Sequence, residues 1–309
     1  MMLNPNHQRS EAPTVSVIIP TYNHAKYLSG ALQSVINQSF TNWEAVIINN
    51  YSDDDTVEIV AKFNEPRFTL FNFRNEGVIA ASRNEGLRHA KAPIIAFLDS
   101  DDIWYKDKLN RCLEEFENGA DIVCHGENWV STDSSPRAMF YGPVNRASHK
   151  NLLFRGNCIS TSATLLRKDL LNQLGGFNED QTFVTAEDYE LWMRLSLSNS
   201  KIVFVNQLLG EYRRHDQSAS SSVARHLAAE IAVISVHIKL ESSSLINKFR
   251  ARHRRAKAIY SAGRTEMRGG RNGLAILFFW QAILQSPFFL RTYVATILAM
   301  RNNLLGKPK

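Results

Sequence analysis

The segment Ile94-Ile95-Ala96-Phe97-Leu98-Asp99-Ser100-Asp101-Asp102 joins a short apolar run, preceded by Pro93, to three carboxylates. The apolar run predicts a buried strand, and its acids follow the carboxyl end, where open α/β sheets bind ligands. Asp99 and Asp101, two residues apart in an extended chain, point to the same side. Closely packed carboxylates favour a cation, and hard oxygen ligands suit Mg²⁺ or Mn²⁺ shared with a substrate's phosphates. The alternative is an acidic turn that caps a helix starting near Lys106.

The elements around this segment predict the fold class. Strands are predicted at 15–20, 43–49, 68–73 and 94–98, with helices between them at 25–38, 56–63 and 79–90. This βαβαβαβ order predicts a largely parallel, doubly wound sheet whose important loops lie at one edge. No G-x-G-x-x-G follows the first strand, which disfavours the usual dinucleotide-binding fold.

The second half of the chain changes from this alternation to helices. A helix at 106–118 and a strand at 122–125 precede a long loop or irregular hairpin at 130–148. Strands at 160–167 and 202–205 flank an amphipathic helix that begins near Thr185. Helices are predicted at 219–241, 245–267 and 273–284, and a last one with Ser286 as N-cap and Pro287 at its first position. We therefore expect a disordered segment at 1–13, an α/β domain at 14–219 and an all-helical region at 220–309.

Composition limits the class of protein. The chain has 309 residues, of which 44% are hydrophobic and 21% charged, as in a globular protein with one large domain and an appendage. The net charge is +6, and its basic excess lies between Lys239 and Arg271. This excess predicts an anionic partner, with membrane headgroups favoured and nucleic acid not expected. A solvated helical face is the alternative.

Cysteine use and the N-terminus bear on the compartment. Cys112, Cys124 and Cys158 are widely spaced and form no C-x-x-C, which indicates a reducing compartment and no structural zinc. Residues 1–13 lack the apolar core of a signal peptide, and no apolar run is long enough to span a bilayer. We expect a cytoplasmic protein that is soluble or peripheral on the inner face of the cell membrane.

Five motifs occur in one order along the first two thirds of the chain. They are Pro20-Thr21-Tyr22-Asn23, the acidic loop 50–55, Ala81-Ser82-Arg83-Asn84, Leu98-Asp99-Ser100-Asp101-Asp102, and Glu187-Asp188 before an apolar helix. In this order and spacing, over roughly residues 14–217, they resemble the family-two glycosyltransferases. The resemblance implies the GT-A fold, a Rossmann-like α/β fold with a mixed, mostly parallel sheet flanked by helices. The sequence adds a C-terminal all-helical extension.

The resemblance also implies a donor site and a metal site. Asp101 would hold Mg²⁺ or Mn²⁺ on the diphosphate of a nucleotide-sugar, where the cation neutralises charge on the leaving group. Asp99 is implied on the ribose side and, with His215, is a further candidate metal ligand. Asp102 would assist either role or cap the next helix. The donor-binding residues implied are Pro20, Tyr22, Asn23, Asn50, Arg83, Asp99, Ser100 and His215.

Several of these residues also have ordinary structural interpretations. Arg83 would reach the nucleobase or form a salt bridge with Asp99. His215, together with Arg213 and Arg214, would cover the diphosphate from a mobile loop or belong to a surface cluster. The remaining histidines His24, His89 and His125 have no comparable context and are expected to be structural.

The catalytic assignment rests on Glu187 and Asp188. Asp188 resembles the family's general base, which takes the proton of the acceptor hydroxyl as that oxygen attacks the anomeric carbon. Glu187 would orient Asp188 or contact the acceptor. Two acids at a helix N-terminus are also favourable on electrostatic grounds alone.

One departure from the family's pattern concerns the nucleobase. Many relatives have two aspartates at the end of the second strand, whereas this chain has Asn49 and Asn50. Asparagine still offers a donor and an acceptor but carries no charge. The base is therefore left open, with UDP as the default.

The sequence predicts an inverting, metal-dependent glycosyltransferase of cell-envelope glycan assembly. It would move a sugar from a nucleotide-sugar to a hydroxyl of a lipid-linked or polysaccharide acceptor. The alternative is a nucleotide- or glycan-binding module of the same fold without turnover, which would not need the base Asp188.

Overall fold

The computed structural model describes residues 12–131, 134–215, 222–241 and 244–305. The strands in these ranges are β1 (Val15–Thr21), β2 (Trp43–Asn49), β3 (Phe68–Asn72), β4 (Ile94–Phe97), β5 (Ile103–Trp104), β6 (Ile122–Ser131), β7 (Ser134–Met139), β8 (Thr164–Arg167) and β9 (Ile202–Arg214). The helices are α1 (Ala25–Ile36), α2 (Thr56–Lys62), α3 (Ile79–His89), α4 (Lys108–Glu117), α5 (His149–Arg155), α6 (Lys168–Gln173), α7 (Glu187–Leu195), α8 (Val223–His237), α9 (Leu245–Arg268), α10 (Asn272–Gln285) and α11 (Leu290–Leu304).

Two expectations fall partly outside these ranges. Most of the segment 1–13, predicted to be disordered, lies outside the described residues, as does the predicted domain boundary near Ser220.

The strands form one mixed sheet in the order β3-β2-β1-β4-β8-β6-β9-β5, with β7 paired to β6. Strands β3, β2, β1 and β4 run parallel, and β9 is parallel to β6. The antiparallel pairs are β4–β8, β6–β8, β5–β9 and β6–β7. The predicted mixed, mostly parallel sheet flanked by helices and followed by C-terminal helices is confirmed.

The apolar strands explain why the site lies at one edge. All seven residues of β1 are buried, and Ile18 packs on one face while Val17 and Ile19 pack on the other. Parallel pairing aligns Ile18 with Phe97 and Thr21 with Asn49. The loops after β1, β2 and β4 therefore leave the sheet together, at its carboxyl edge.

Strand β9 is longer than the sequence pattern predicts. A strand was expected at 202–205, but β9 continues to Arg214, paired with β6 up to Ser131 opposite Arg214. The residues expected in a mobile loop are therefore held in the sheet up to Arg214. Backbone pairing with a neighbouring strand overrides the polar composition of this stretch.

The predicted start of the last helix is wrong. Ser286 closes α10 and does not cap α11, which begins at Leu290 after Phe289. The Ser286 hydroxyl lies 3.0 Å from Nδ1 of His253 on α9. A tertiary contact thus uses the side chain that the local Ser-Pro pattern assigns to a cap.

The C-terminal helices form two layers. Ala229, Val233 and Ile234 of α8 belong to the same apolar core as α7, whereas α9, α10 and α11 pack mainly on one another. Within the described ranges, no helix has the length and apolar character needed to cross a membrane. Helices α10 and α11 nevertheless expose many large apolar side chains, among them Leu277, Leu284, Val294 and Ile297.

Candidate active site

A cleft of about 600 Å³ opens where β1, β2 and β4 end. Its walls come from the loops after these strands, the segment before β8, the start of α7 and one side of α8. The predicted residues that line it are Pro20, Tyr22, Asn50, Arg83, Asp99, Ser100, Asp101, Glu187 and Asp188. Helix starts and strand ends from distant parts of the chain therefore converge on one cavity.

Arg83 connects two sides of the cleft. It is 3% exposed, and its Nη2 and Nη1 donate to Asp99 Oδ1 at 2.8 Å and to Glu187 Oε1 at 2.6 Å. Burial opposes ionisation, but the two carboxylates raise the pKa of Arg83 above its ordinary value. The predicted salt bridge to Asp99 is present, and its extension to Glu187 was not predicted. A buried ion pair of this geometry holds its members in place.

A second group of side chains offers a metal site. Ligand atoms of His24, Asp101 and His215 lie within 4.8 Å of one another. Nε2 of His215 lies 2.8 Å from Asp101 Oδ2, close to the spacing of about 2.9 Å between neighbouring ligands in an octahedral shell with bonds of about 2.05 Å. The residues present thus fit a divalent cation, and a set with two imidazoles is more typical of a transition metal than of Mg²⁺.

This group differs from the predicted one in two members. His24, expected to be structural, joins Asp101 and His215, with its Nδ1 2.9 Å from Ser100 Oγ. Asp99, proposed as a ligand, instead bonds Arg83 and is outside the three-residue group found in the described chain. His215 is further oriented by stacking on Tyr27, with ring centroids 4.3 Å apart.

The remaining acid of the cluster has a structural contact. Asp102 is buried, and its Oδ1 accepts from the backbone N–H of Arg213 at 2.9 Å. The proposal that Asp102 caps the next helix is wrong, because β5 intervenes and α4 begins at Lys108. Burial, followed by repulsion from Asp101, raises the pKa of Asp102 well above its usual range. The hydrogen bond from the Arg213 N–H to Asp102 joins the acidic loop to the end of β9.

Asp188 lies across the cleft from the acidic loop, at the start of α7. Its Oδ1 accepts from the Tyr189 N–H at 2.6 Å and its Oδ2 from the Thr161 hydroxyl at 3.2 Å. Burial first, and then the charge of Glu187, raises the pKa of Asp188 from 3.8 to about 6. A carboxylate with this pKa is ionised at pH 7 and has a strong affinity for a proton, as a general base requires.

The backbone before Asp188 is strained. Thr185 has φ of 82°, an unfavourable conformation for a β-branched residue. Its N–H donates to Glu187 Oε2 at 2.8 Å, and its carbonyl lies 3.0 Å from Nδ1 of His226 on α8. These contacts hold a conformation that costs about 1–3 kcal/mol elsewhere, a feature that concentrates at functional sites.

The donor side is formed by the loops after β1 and β2. Tyr22 is 51% exposed at the rim, and Asn50 accepts from the Asn75 N–H at 2.9 Å. Asn23 does not line the cleft, because its Oδ1 accepts from the backbone N–H of Asp53. Asn49 is 1% exposed and bonds Ser52 and Asn72, so its amide supports the loop from within.

The opposite side carries residues that the sequence reasoning missed. Trp129, Tyr141 and Tyr212 form an aromatic wall, and His226 and Glu230 of α8 complete it. Nε1 of Trp129 donates to the Tyr141 hydroxyl at 3.1 Å, which in turn donates to the buried Glu127. Aromatic side chains that are spread over three segments leave no local motif, so no sequence signal identified them.

Solved structures define the class of fold. The chain superposes on the TarS fragment 1–349 of S. aureus in complex with UDP-GlcNAc, with a TM-score of 0.65 over 95% of this chain and 92% of that one. It also superposes on the mannosyltransferase PcManGT of Pyrobaculum calidifontis in complex with GDP-Man and Mn²⁺, with a TM-score of 0.59 over 96% and 88%. Sequence identity is 19% in both cases, so these likenesses establish the GT-A fold.

Sequence relatives identify the family. The model described as Glycosyl transferase family 2 matches residues 16–175. The UDP-Glc:alpha-D-GlcNAc-diphosphoundecaprenol beta-1,3-glucosyltransferase WfgD of Escherichia coli is 30% identical over 71% of this chain and 85% of its own length. The putative teichuronic acid biosynthesis glycosyltransferase TuaG of Bacillus subtilis is 29% identical over 68% and 82%. The chain belongs to glycosyl transferase family 2, and the resemblance stated from its motifs is confirmed.

Proposed function

We propose that the chain is an inverting, metal-dependent glycosyltransferase of cell-envelope glycan biosynthesis. It moves a sugar from a nucleotide-sugar, with UDP as the default, to a hydroxyl of a lipid-linked or polysaccharide acceptor. Residues 14–219 form the catalytic domain and 220–309 the helical region. The names of WfgD, which specifies a UDP-glucose donor and a diphosphoundecaprenol-linked acceptor, and of TuaG support this assignment.

One observation carries the proposal. A single cleft has His24 and Asp101 at one wall, with His215 beside them, and Asp188, with its raised pKa, at another. Arg83 bridges the two through Asp99 and Glu187. Sugar transfer needs both a cation for the departing diphosphate and a base for the incoming hydroxyl.

A residue of this chain would take up the proton of the acceptor hydroxyl. The acceptor oxygen forms its bond to the anomeric carbon while the bond to the diphosphate breaks, and Asp188 accepts the hydroxyl proton. Arg83 and the Thr185 N–H orient Glu187, the neighbour of Asp188. A cation bound by His24, Asp101 and His215, Mg²⁺ or Mn²⁺, would neutralise charge on the leaving diphosphate.

The nucleotide is assigned to the loops after β1 and β2. Pro20 and Tyr22 form one side of this subsite, and the amides of Asn50 and Asn75 face it from the other. Because Asn49 is engaged inside the loop, replacing the family's aspartate there leaves the loop intact. Asn50 is then the neutral hydrogen-bonding group available to the base.

The helical region supports a location at an anionic membrane surface. Exposed apolar side chains of α10 and α11 lie near the many basic residues of α9, the combination that binds a headgroup interface. The free cysteines Cys112, Cys124 and Cys158 support a reducing, cytoplasmic environment. No nucleic acid is assigned as a partner.

Calorimetric titration with UDP, GDP, dTDP and CDP, with and without Mn²⁺, tests the donor site. We expect one nucleotide to bind tightly and only with metal in the wild type, and the Asp101→Asn variant to lose that binding. Failure of all four nucleotides in the wild type would refute the enzyme assignment and leave a glycan-binding module as the alternative.

A further inference from the structure

A group of basic side chains lies beyond the cleft wall that α8 completes. We call it the basic mouth; its members are Arg146, Arg155, Arg254, Lys257 and Arg291. They come from four segments: the turn before α5, the end of α5, α9 and the first turn of α11. Segments up to 145 positions apart in sequence, from Arg146 to Arg291, thus bring five cations together.

Gly156 lies against two members of the basic mouth. Nη2 of Arg146 donates to the Gly156 carbonyl at 3.4 Å, and Nη2 of Arg254 lies 3.2 Å from the position that a Gly156 Cβ would occupy. Arg155 is the residue before Gly156, and Lys257 follows Arg254 by one helical turn. The guanidinium groups of Arg146 and Arg254 therefore share one small area of backbone.

Among the described residues, Arg254 is the one member of the basic mouth with a carboxylate partner. Arg254 pairs with Glu230, but no acid in the described part of the chain lies within ion-pair distance of Arg146, Arg155, Lys257 or Arg291. Partial burial, and then repulsion from Arg254, Arg155, Arg291 and Arg146, lowers the pKa of Lys257. A site that accumulates unneutralised positive charge is suited to a polyanion.

The basic mouth is continuous with the cleft. Glu230, the partner of Arg254, lines the cleft, as do Asn157 and Cys158, which follow Gly156 directly. The same segment reaches Thr161, whose hydroxyl bonds the proposed base Asp188. Five residues of chain span at most about 17 Å, so an acceptor sugar and an attached diphosphate can bridge this distance.

Exposed apolar side chains occur near the members of the basic mouth along α9 and at the start of α11. Phe249 of α9 is 55% exposed, and Phe288 and Leu290 next to Arg291 are 84% and 74% exposed. Leu245 and Ile246 add to this surface at the start of α9. Cations bordered by exposed apolar groups match a ligand in which a phosphate is joined to a hydrocarbon chain.

We propose that the basic mouth binds the diphosphate of a lipid-linked acceptor, with the lipid chain against the flanking apolar side chains and the acceptor sugar in the cleft. This inference rests on the proposed glycosyltransferase function and specifies its acceptor. Arginine favours phosphate because its planar group donates two hydrogen bonds at once.

Farnesyl diphosphate, below its micellar concentration and in EDTA, is a direct probe because chelation keeps divalent cations from Asp101. The test variant is Arg155→Gln with Lys257→Gln, two exposed residues whose replacement leaves Arg146 and Arg254 in place. The control is Lys248→Gln with Arg252→Gln, the same change of charge on exposed positions of α9 that face away from Lys257.

We expect calorimetry to show that the test variant binds farnesyl diphosphate about 25-fold more weakly, since each of the two surface cations contributes about a factor of five. The control should stay within about twofold of the wild type. Equal affinity in all three proteins, or equal loss in both variants, would overturn the proposal.

Two further measurements separate the sources of the phosphate and the two proposals. Vesicles with phosphatidylglycerol should bind both variants to a similar extent; selective loss in the test variant, with farnesyl diphosphate binding unchanged, would assign the basic mouth to membrane headgroups and refute the acceptor site. Metal-dependent nucleotide binding should be equal in the test variant and the wild type. Its absence from the wild type would refute the enzyme assignment without affecting the farnesyl diphosphate result.

Discussion

Replacing Asp188 with asparagine should inactivate the protein and make it more stable. Folding raises the pKa of this carboxyl from 3.8 to about 6, chiefly through burial, so its ionised form is disfavoured in the native state. A rise of roughly two in the pKa corresponds to about 3 kcal/mol at pH 7. Asparagine removes the charge and can still accept from the Tyr189 N–H and donate to the Thr161 hydroxyl.

The sign of the pH dependence follows from the direction of this pKa. Below pH 3.8 the carboxyl is protonated in both the folded and unfolded states and has no effect on stability. As the pH rises from 3.8 to 6, the unfolded state loses its proton first, so the wild type loses stability up to the full amount. The advantage of Asp188→Asn should therefore be small at pH 4 and reach about 3 kcal/mol above pH 7.

Urea unfolding of wild type and Asp188→Asn between pH 4 and 8 measures this difference. Asp53→Asn, which changes a carboxylate in an exposed loop, is the matched control and should show little difference at any pH. A variant less stable than the wild type at pH 7, or a difference independent of pH, would refute the reasoning. For sugar transfer we expect a loss of about 10²–10⁴ in kcat, and in the wild type a fall in kcat/KM of about tenfold per pH unit below about 6.

Three further substitutions test the metal ligands, the buried ion pair and the packing that position the site. His24→Ala should weaken Mn²⁺ binding at least about tenfold by titration, and unchanged affinity would exclude His24 as a ligand. Arg83→Met leaves Asp99 and Glu187 without their shared partner and should lower the free energy of unfolding, measured with urea, by about 3–5 kcal/mol. The exposed Arg88→Met should lower it by less than about 1 kcal/mol. Gly86→Ala places a Cβ 2.4 Å from a core methyl group and should destabilise by about 1–3 kcal/mol, whereas Gly273→Ala, with open space around it, should stabilise slightly; equal effects would contradict the packing argument.

The sequence predicted the sheet and its acidic edge because these depend on local patterns. Short apolar runs such as 94–98 predict buried strands from local sequence alone. When neighbouring strands are parallel, the residues that follow them lie at the carboxyl edge of the sheet. Asp99 and Asp101 could therefore be placed at this edge from the local pattern. Asp188, which starts a helix and follows no parallel strand, was joined to them only through the order of the motifs that resembles the family's.

The same reasoning failed where long-range contacts decide. His24 follows β1 by three residues and has no motif of its own, yet it lies with Asp101 and His215 because α1 begins beside the end of β4. The extension of β9 depends on pairing with β6, and the role of Ser286 depends on His253 in another helix. Such partners are distant in sequence and leave no periodic pattern.

Helix α8 has a consequence for protein engineering. Because it inserts His226 and Glu230 into the cleft wall, exchanging the C-terminal helices between relatives would exchange part of the proposed acceptor pocket as well. A chimaera joined between β9 and α8 would therefore combine the nucleotide loops and the aromatic wall of one parent with the α8 side of the cleft from the other. In such a hybrid, Thr185 and His226 would come from different parents. Their contact helps to hold the strained backbone before Asp188, so the parent that supplies α8 should have a histidine at position 226.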